Sequence, residues 1–291
     1  MDHSRLKKYI SAALIIMSGY GFSLRLPQTT SVAAAGSGDL DTIKNHALLD
    51  AHSYSYLREL ADGIGPRLTG SPEGARAAAW ASEKMQSIGL KNVHLEKWRI
   101  SRGWQRSFAR AELTSPIHLS LEIASYGWAG STPVGGVETE VVLVNSDSLA
   151  DEIQRNAPAW AGKIRFLSPN GPKHVSPLRI YAQLGDFVSA AGSARAVAVI
   201  ARDQRPGIML THAGPISFRD SYFPISVVDI ASEHQKLIER LLASGARVKM
   251  RIEVQNIVSS GPVESANIIG EIPGYEHPEQ VVIIGAHLDS W

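Results

Sequence analysis

Apolar residues recur at helical spacing through Leu40, Ile43, Ala47, Ala51, Leu57 and Leu60, which predicts helix across residues 40–60. The stretch "DGIGPRLTGSPEG" breaks that rhythm and reads as a loop. It closes on helix-start chemistry: Ser71 suits the N-cap, Pro72 the first helical position, and Glu73 complements the positive helix end. The helix so announced turns Ala77, Ala81, Met85 and Ile88 inward and stops at Gly89. "VHLEKWRI" and "SFARAELTSP" follow as strands.

Between Ile123 and Gly136 the texture becomes rich in Gly, Ser and Pro, which predicts a domain crossing. A strand-helix series then runs from "VETEVVLVNSD" through "GKIRFLS", a helix near Tyr181–Ala191, "ARAVAVIAR", "PISVVDI" and a helix over Ala231–Ser244, to "RVKMRIEVQ". After "SSGPVES" come "ANIIGEIPG", a turn at Pro273-Gly274, and "QVVIIGAHLDS", an apolar run that suits a strand buried on both faces. The pattern is mixed α/β with an inserted second module.

Composition adds limits. A chain of 291 residues with 44% hydrophobic and 20% charged residues has the means for a real core. A net charge of +1 gives no electrostatic case for nucleic acid as a partner. There are no cysteines, so a disulfide framework, thiolate ligands and a cysteine nucleophile are excluded, and any metal must be held by His, Asp or Glu. The first 35 residues have the order of a secretory signal: Arg5, Lys7 and Lys8, then an apolar stretch over Tyr9–Met17, then a small-x-small site at Ala33 and Ala35. That stretch falls short of the roughly 20 apolar residues a bilayer span needs. Export is expected, with no stable membrane span after cleavage.

Several motifs fail. "GPRLTGS" has the glycine spacing of a phosphate loop but Ser71 where lysine is required, and "GIGPRL" lacks the third glycine of a dinucleotide fingerprint. No G-x-S-x-G elbow and no H-E-x-x-H pair occurs. His287-Leu288-Asp289 survives. It lies beyond the apolar run Val281–Ile284, where ligands of open α/β sheets bind, and a carboxylate on the second ring nitrogen fixes an imidazole's tautomer and raises its basicity. Taken alone the pair reads either as a zinc ligand with its orienting partner or, more commonly, as a hydrogen-bonded strand end. The other histidines make no second spaced cluster.

"SANIIGEIPGYEHPEQVVIIGAHLDSW" resembles the start of the catalytic core of the M28 family of zinc exopeptidases, whose members carry G-(A/G)-H-(L/Y)-D-S after an apolar strand. "GIGPRLTGSPEGARAAAWASEKMQSIGLKNVHLEKW" is similar to that family's N-terminal segment, and the ending H-L-D-S-W resembles the carboxypeptidase Q branch. The resemblance implies an α/β/α zinc-exopeptidase catalytic domain, incomplete here, with an inserted protease-associated (PA)-like α/β domain. Its partition is a signal peptide over 1–35, the first part of the peptidase domain over 37–124, the insert over 125–256 and the start of the core sheet over 257–291. It further implies that His287 ligates one zinc of a two-zinc site and that Asp289 orients it. The family's remaining ligands and its general base follow this motif, so none is assignable in residues 1–291.

These readings make the chain the N-terminal part of an exported metallopeptidase acting on terminal peptide bonds of short peptides or dipeptides. By itself it is expected to be inactive and to lack tight zinc. The alternative is a non-catalytic exported module that binds peptides or proteins through the PA-like domain.

Overall fold

The computed structural model describes residues 37–49, 52–144, 157–167, 177–201 and 222–291, with residues 151, 152, 155, 207 and 208 besides. The signal segment read over 1–35 lies outside the described residues. Among the described residues no helix is long and apolar enough to cross a membrane.

The chain forms two compact units, Met1–Tyr56 and Leu57–Trp291. The first contributes α1 (Ser37–Leu49) and most of α2 (His52–Arg58), so the helical periodicity over 40–60 is realised on both sides of residues 50–51. Within it Thr42 Oγ1 donates to Gly38 O at 2.7 Å, and the rings of His52 and Tyr56 stack at 5.8 Å.

In the second unit a π-helical turn over Glu59–Ile64 leads into the loop before α3 (Pro72–Ser87). Ser71 caps α3 as its sequence predicts, accepting the Gly74 N–H at 3.0 Å. Glu59 ties the turn to that helix, taking the Trp80 indole N–H at 2.8 Å and pairing with Lys84. Ala77 and Ala81 are buried where α3 packs on an antiparallel pair, β1 (Lys91–Ile100) with β10 (Val263–Glu271). Ile88 departs from expectation. It is the C-cap residue, 62% exposed, because the chain turns away at Gly89 before its side chain reaches the sheet.

The larger sheet has the order β3-β2-β9-β5-β6-β7-β8-β4. Its strands are β2 (Trp104–Ser115), β3 (Leu119–Leu121), β4 (Ile123–Ser125), β5 (Val137–Val144), β6 (Ile164–Leu167), β7 (Ala198–Ile200), β8 (Ser226–Ile230) and β9 (Lys249–Val258). β5 to β8 run parallel, with α4 (Pro177–Ser193) before β7 and α5 (Ser232–Ala243) after β8. The two ends of that order, β3 and β4, are separated in sequence by Glu122 alone, so the sheet must curl until its edges meet. Arg106 on β2 fastens the closure, donating from Nε and Nη2 to Ser125 O on β4 at 3.1 and 2.9 Å. Burial pulls the Arg106 guanidinium pKa down, and Asp229 opposes the shift.

Both faces of the parallel strands β6 to β8 are covered, so these strands are buried along their whole length and are mostly apolar. Ile164, Phe166, Ile200, Val228 and Ile230 pack with Met250, Ile252 and Ile238 of α5, while Val199 and Val227 face Phe187, Val188 and Ala191 of α4.

β2, β3 and β4 all lie in the larger sheet, and β9 runs on to Val258. The chain passes between the two sheets where Ser259 donates its N–H to Gly103 O at 2.9 Å and Gly103 N–H donates to Ser259 Oγ at 2.8 Å. Gly70 abuts this crossing: its φ is +78° and a Cβ there would lie 2.7 Å from Val263 Cγ2.

Two predictions follow from these contacts. Ser71→Ala costs about 1 kcal/mol in urea unfolding, the usual worth of such a cap. Glu233, in the first turn of α5, accepts the N–H groups of Gly207 and Ile208, and these backbone bonds, Gly207 first, lower its pKa to about 2. Its contribution is therefore complete above the unfolded value of 4.5 and is lost as pH falls toward 2. Glu233→Gln should be less stable than wild type at neutral pH, with the gap in melting temperature closing below pH 4.5. A gap that stays constant with pH contradicts the assignment.

Candidate metal-ligand site

The two stretches singled out in the sequence, "GPRLTGS" and "GAHLDSW", meet in the second unit. After the π-helical turn, Gly65 takes φ +81° and sends the chain through Pro66 into Arg67. Arg67 pairs with Ser290 as an antiparallel bridge: its N–H donates to Ser290 O at 3.0 Å, and the Ser290 N–H returns at 3.4 Å. The Arg67 side chain grips the same segment, Nε donating to Leu288 O at 2.6 Å while Nη1 reaches Gly65 O at 3.3 Å. Two residues on, Thr69 Oγ1 donates to Asp289 Oδ2 at 3.1 Å.

The other oxygen of that carboxylate, Oδ1, lies 2.8 Å from His287 Nδ1. An ionised carboxylate only accepts, so the proton of a neutral His287 sits on Nδ1 and the Nε2 lone pair is left free. The imidazole is 92% exposed and the Asp289 side chain 40%, so among the described residues nothing shields that lone pair. A neutral imidazole with a fixed tautomer and an open Nε2 has the chemistry of one zinc ligand. It is not a closed site, which takes three or four ligands. Among the described residues no group of three or more His, Asp or Glu is placed to hold a metal ion.

One expectation fails. Residues 281–286 do not form a strand: Val281, Val282, Ile283 and Ile284 are 63% to 95% exposed, and His287 stands on irregular backbone. A strand buried on both faces needs hydrogen-bonded neighbours and cover from both sides. Among the described residues the segment's ladder contact is the Arg67–Ser290 bridge. The sequence reading also passed over Arg67 and Thr69, taking the loop for a tight turn and a helix start. A signal was present in Arg67, five fixed donors set into a Gly/Pro-rich loop where a segment's carbonyls need partners.

Beside the bridge lies a cavity of about 370 Å³ between the loop and the start of β2, with Leu68, Trp104 and Trp291 as apolar walls and Glu73, Arg76 and Arg106 as charged ones. Glu73 is held there by Gln105 Nε2 at 3.2 Å and Arg76 Nη2 at 3.5 Å.

Known proteins share this architecture. Mouse carboxypeptidase Q is 31% identical over 239 residues, a match covering 82% of this chain and 49% of that protein. Human carboxypeptidase Q is 30% identical over the same length, with the same coverage. A crystal structure of a peptidase M28 precursor from Shewanella amazonensis aligns with a TM-score of 0.68 at 26% identity, covering 87% of this chain and 57% of that one. A zinc aminopeptidase from Bacillus subtilis shares the fold at a TM-score of 0.52 and 16% identity, over 78% of this chain and 47% of its own. No protein-family model matches. The chain spans about half the length of the curated relatives it matches. With this likeness spread over most of its length, the chain belongs to the M28 peptidase family, near carboxypeptidase Q.

Proposed function

We propose that residues 1–291 supply one ligand and its supporting loop to an exported two-zinc M28 metallopeptidase that hydrolyses terminal peptide bonds of short peptides or dipeptides. The observation that carries this reading is the 2.8 Å bond between His287 and Asp289, with the segment that bears both side chains anchored by Arg67 and Thr69. Coverage of about half of carboxypeptidase Q supports placing the remaining ligands and the general base in the other half of such a protein. A bound zinc pair would supply an activated water and polarise the scissile carbonyl.

The chain's own residues have narrower tasks. His287 presents Nε2 as the donor atom, and Asp289 keeps the proton on Nδ1 and strengthens the imidazole as a ligand. Thr69 occupies the second carboxylate oxygen so that Asp289 does not swing away. Arg67 fixes the backbone that carries both residues. The larger sheet is read as the PA-like insert, and residues 1–35 as the export signal.

Three measurements test this account. Arg67→Ala removes a charged hydrogen bond to Leu288 O, a contact worth about 1.5–3 kcal/mol. Hydrogen exchange at the Ser290 amide should then rise about tenfold or more, and unchanged exchange would show that the clamp is not holding. The 291-residue chain, loaded with zinc and dialysed, should retain less than one equivalent and cleave no dipeptide; turnover that disappears on His287→Ala would overturn the view that other ligands are needed. In a gene product that also carries the other half of the relatives' length, His287→Ala should abolish dipeptide hydrolysis. A complete, zinc-loaded product inert toward a panel of free and terminally blocked dipeptides would sink the peptidase reading.

A further inference from the structure

We propose that Trp128 is a positioning residue for the His287–Asp289 pair, acting through Trp291; this rests on reading His287 as a metal ligand. Trp128 lies between β4 and β5, in a turn flanked by the bridge residues Gly127 and Ala129, the latter paired with Phe223. Its φ is +59°, a left-handed conformation that a bulky side chain adopts only when its surroundings impose it.

Three contacts impose it. The indole Nε1–H donates to Arg102 O at 2.8 Å, on the crossing between β1 and β2. The Trp128 carbonyl accepts the Phe223 N–H at 3.0 Å, just before β8. The ring meets that of Trp291 edge-to-face, with centroids 6.3 Å apart and planes at 88°, a favoured geometry for an aromatic pair. The next carbonyl and amide are also engaged: Ala129 O accepts the buried Trp104 indole N–H at 2.9 Å, and Gly130 N–H donates to Ile225 O at 3.0 Å. Trp128 therefore has little freedom to follow Trp291. It is the fixed partner.

Trp291 stands two residues beyond Asp289. Arg67 and Thr69 secure the segment on the side of the loop before α3, yet the Arg67–Ser290 bridge is a single pair of backbone bonds, one of them 3.4 Å long. These contacts all come from the one loop and end at Ser290, so they hold the segment from one side. A second anchor beyond Ser290 holds it from the other, and Trp128 provides that anchor from the larger sheet. The consequence is a link between the larger sheet and the side chain that would bind metal: Trp128 holds Trp291, Trp291 holds the backbone at 289–291, and that backbone directs the Asp289 carboxylate toward Nδ1.

The tautomer of His287 reads this chain of contacts directly. Nitrogen-15 NMR of the metal-free 291-residue chain at mildly alkaline pH reports which ring nitrogen carries the proton. Wild type should hold the Nδ1–H form. Trp128→Ala and Trp291→Ala should each move His287 toward the Nε2–H form that an unconstrained imidazole prefers, and Trp128→Phe should keep the wild-type tautomer. The double alanine variant should go no further than Trp291→Ala alone, as expected if Trp128 acts through Trp291.

An unchanged tautomer in Trp128→Ala, even with a lowered melting temperature, would overturn the proposal, and so would single effects that add in the double variant. Should Trp128→Ala fail to fold, Trp291→Ala decides alone, because it leaves the strained turn intact; an unchanged tautomer there overturns the proposal equally. Failure of the metal-ligand reading appears elsewhere, as a wild-type His287 that lacks the Nδ1–H form or as zinc that leaves His287 untouched.

Discussion

The Asp289 carboxylate lies between two groups: the Thr69 hydroxyl donates to one oxygen and His287 Nδ1 meets the other. Without Thr69 the carboxylate can rotate, and without the carboxylate the imidazole is free to hold its proton on either nitrogen. The loop that carries Thr69 is itself set by local chemistry. Its entry is bent by Gly65 at positive φ, and its exit is held by the Ser71 cap on a sixteen-residue helix. The exposed imidazole thus gains a fixed tautomer and direction from elements that were built for other structural reasons.

The larger sheet stands in a similar relation to the site. Its closure through Glu122, fastened by Arg106, fixes the stretch after β4. Asn256 holds that stretch from β9, donating through Nδ2 to Ser125 Oγ, Ala129 O and Gly130 O. The ladder that makes the closed sheet therefore also fixes the backbone around Trp128, and through it the far end of the His287 segment.

Much of this was legible locally. The α3 start followed from Ser71-Pro72-Glu73, and β7, β8 and α5 from their place in the strand-helix series, because those signals act over a few residues. The packing of one stretch was not legible, for a physical reason. The Gly/Ser/Pro-rich stretch 123–136 looks like a linker, yet Gly130 is there because a Cβ would lie 2.7 Å from the Pro224 backbone, and Thr132 bonds across to Val254. Small residues marked close packing, not slack. In the site, His287 and Asp289 stood out because they are two apart and chemically distinctive. Arg67 and Thr69 did not, since their partners are 221 and 220 residues away and only the fold brings them together. Residues 281–286 were read as a strand from composition, but a strand is a relation to neighbours that composition does not supply.

The central claim is that one histidine of ten, His287, is prepared as a metal ligand by Asp289 and the loop behind it. A zinc titration of the 291-residue chain followed by nitrogen-15 NMR of the imidazoles tests it most directly. The account predicts that at substoichiometric zinc His287 Nε2 responds before any other ring nitrogen, weakly and reversibly, and that His287→Ala removes the early response. A different histidine responding first, or tight binding that survives His287→Ala, would contradict it.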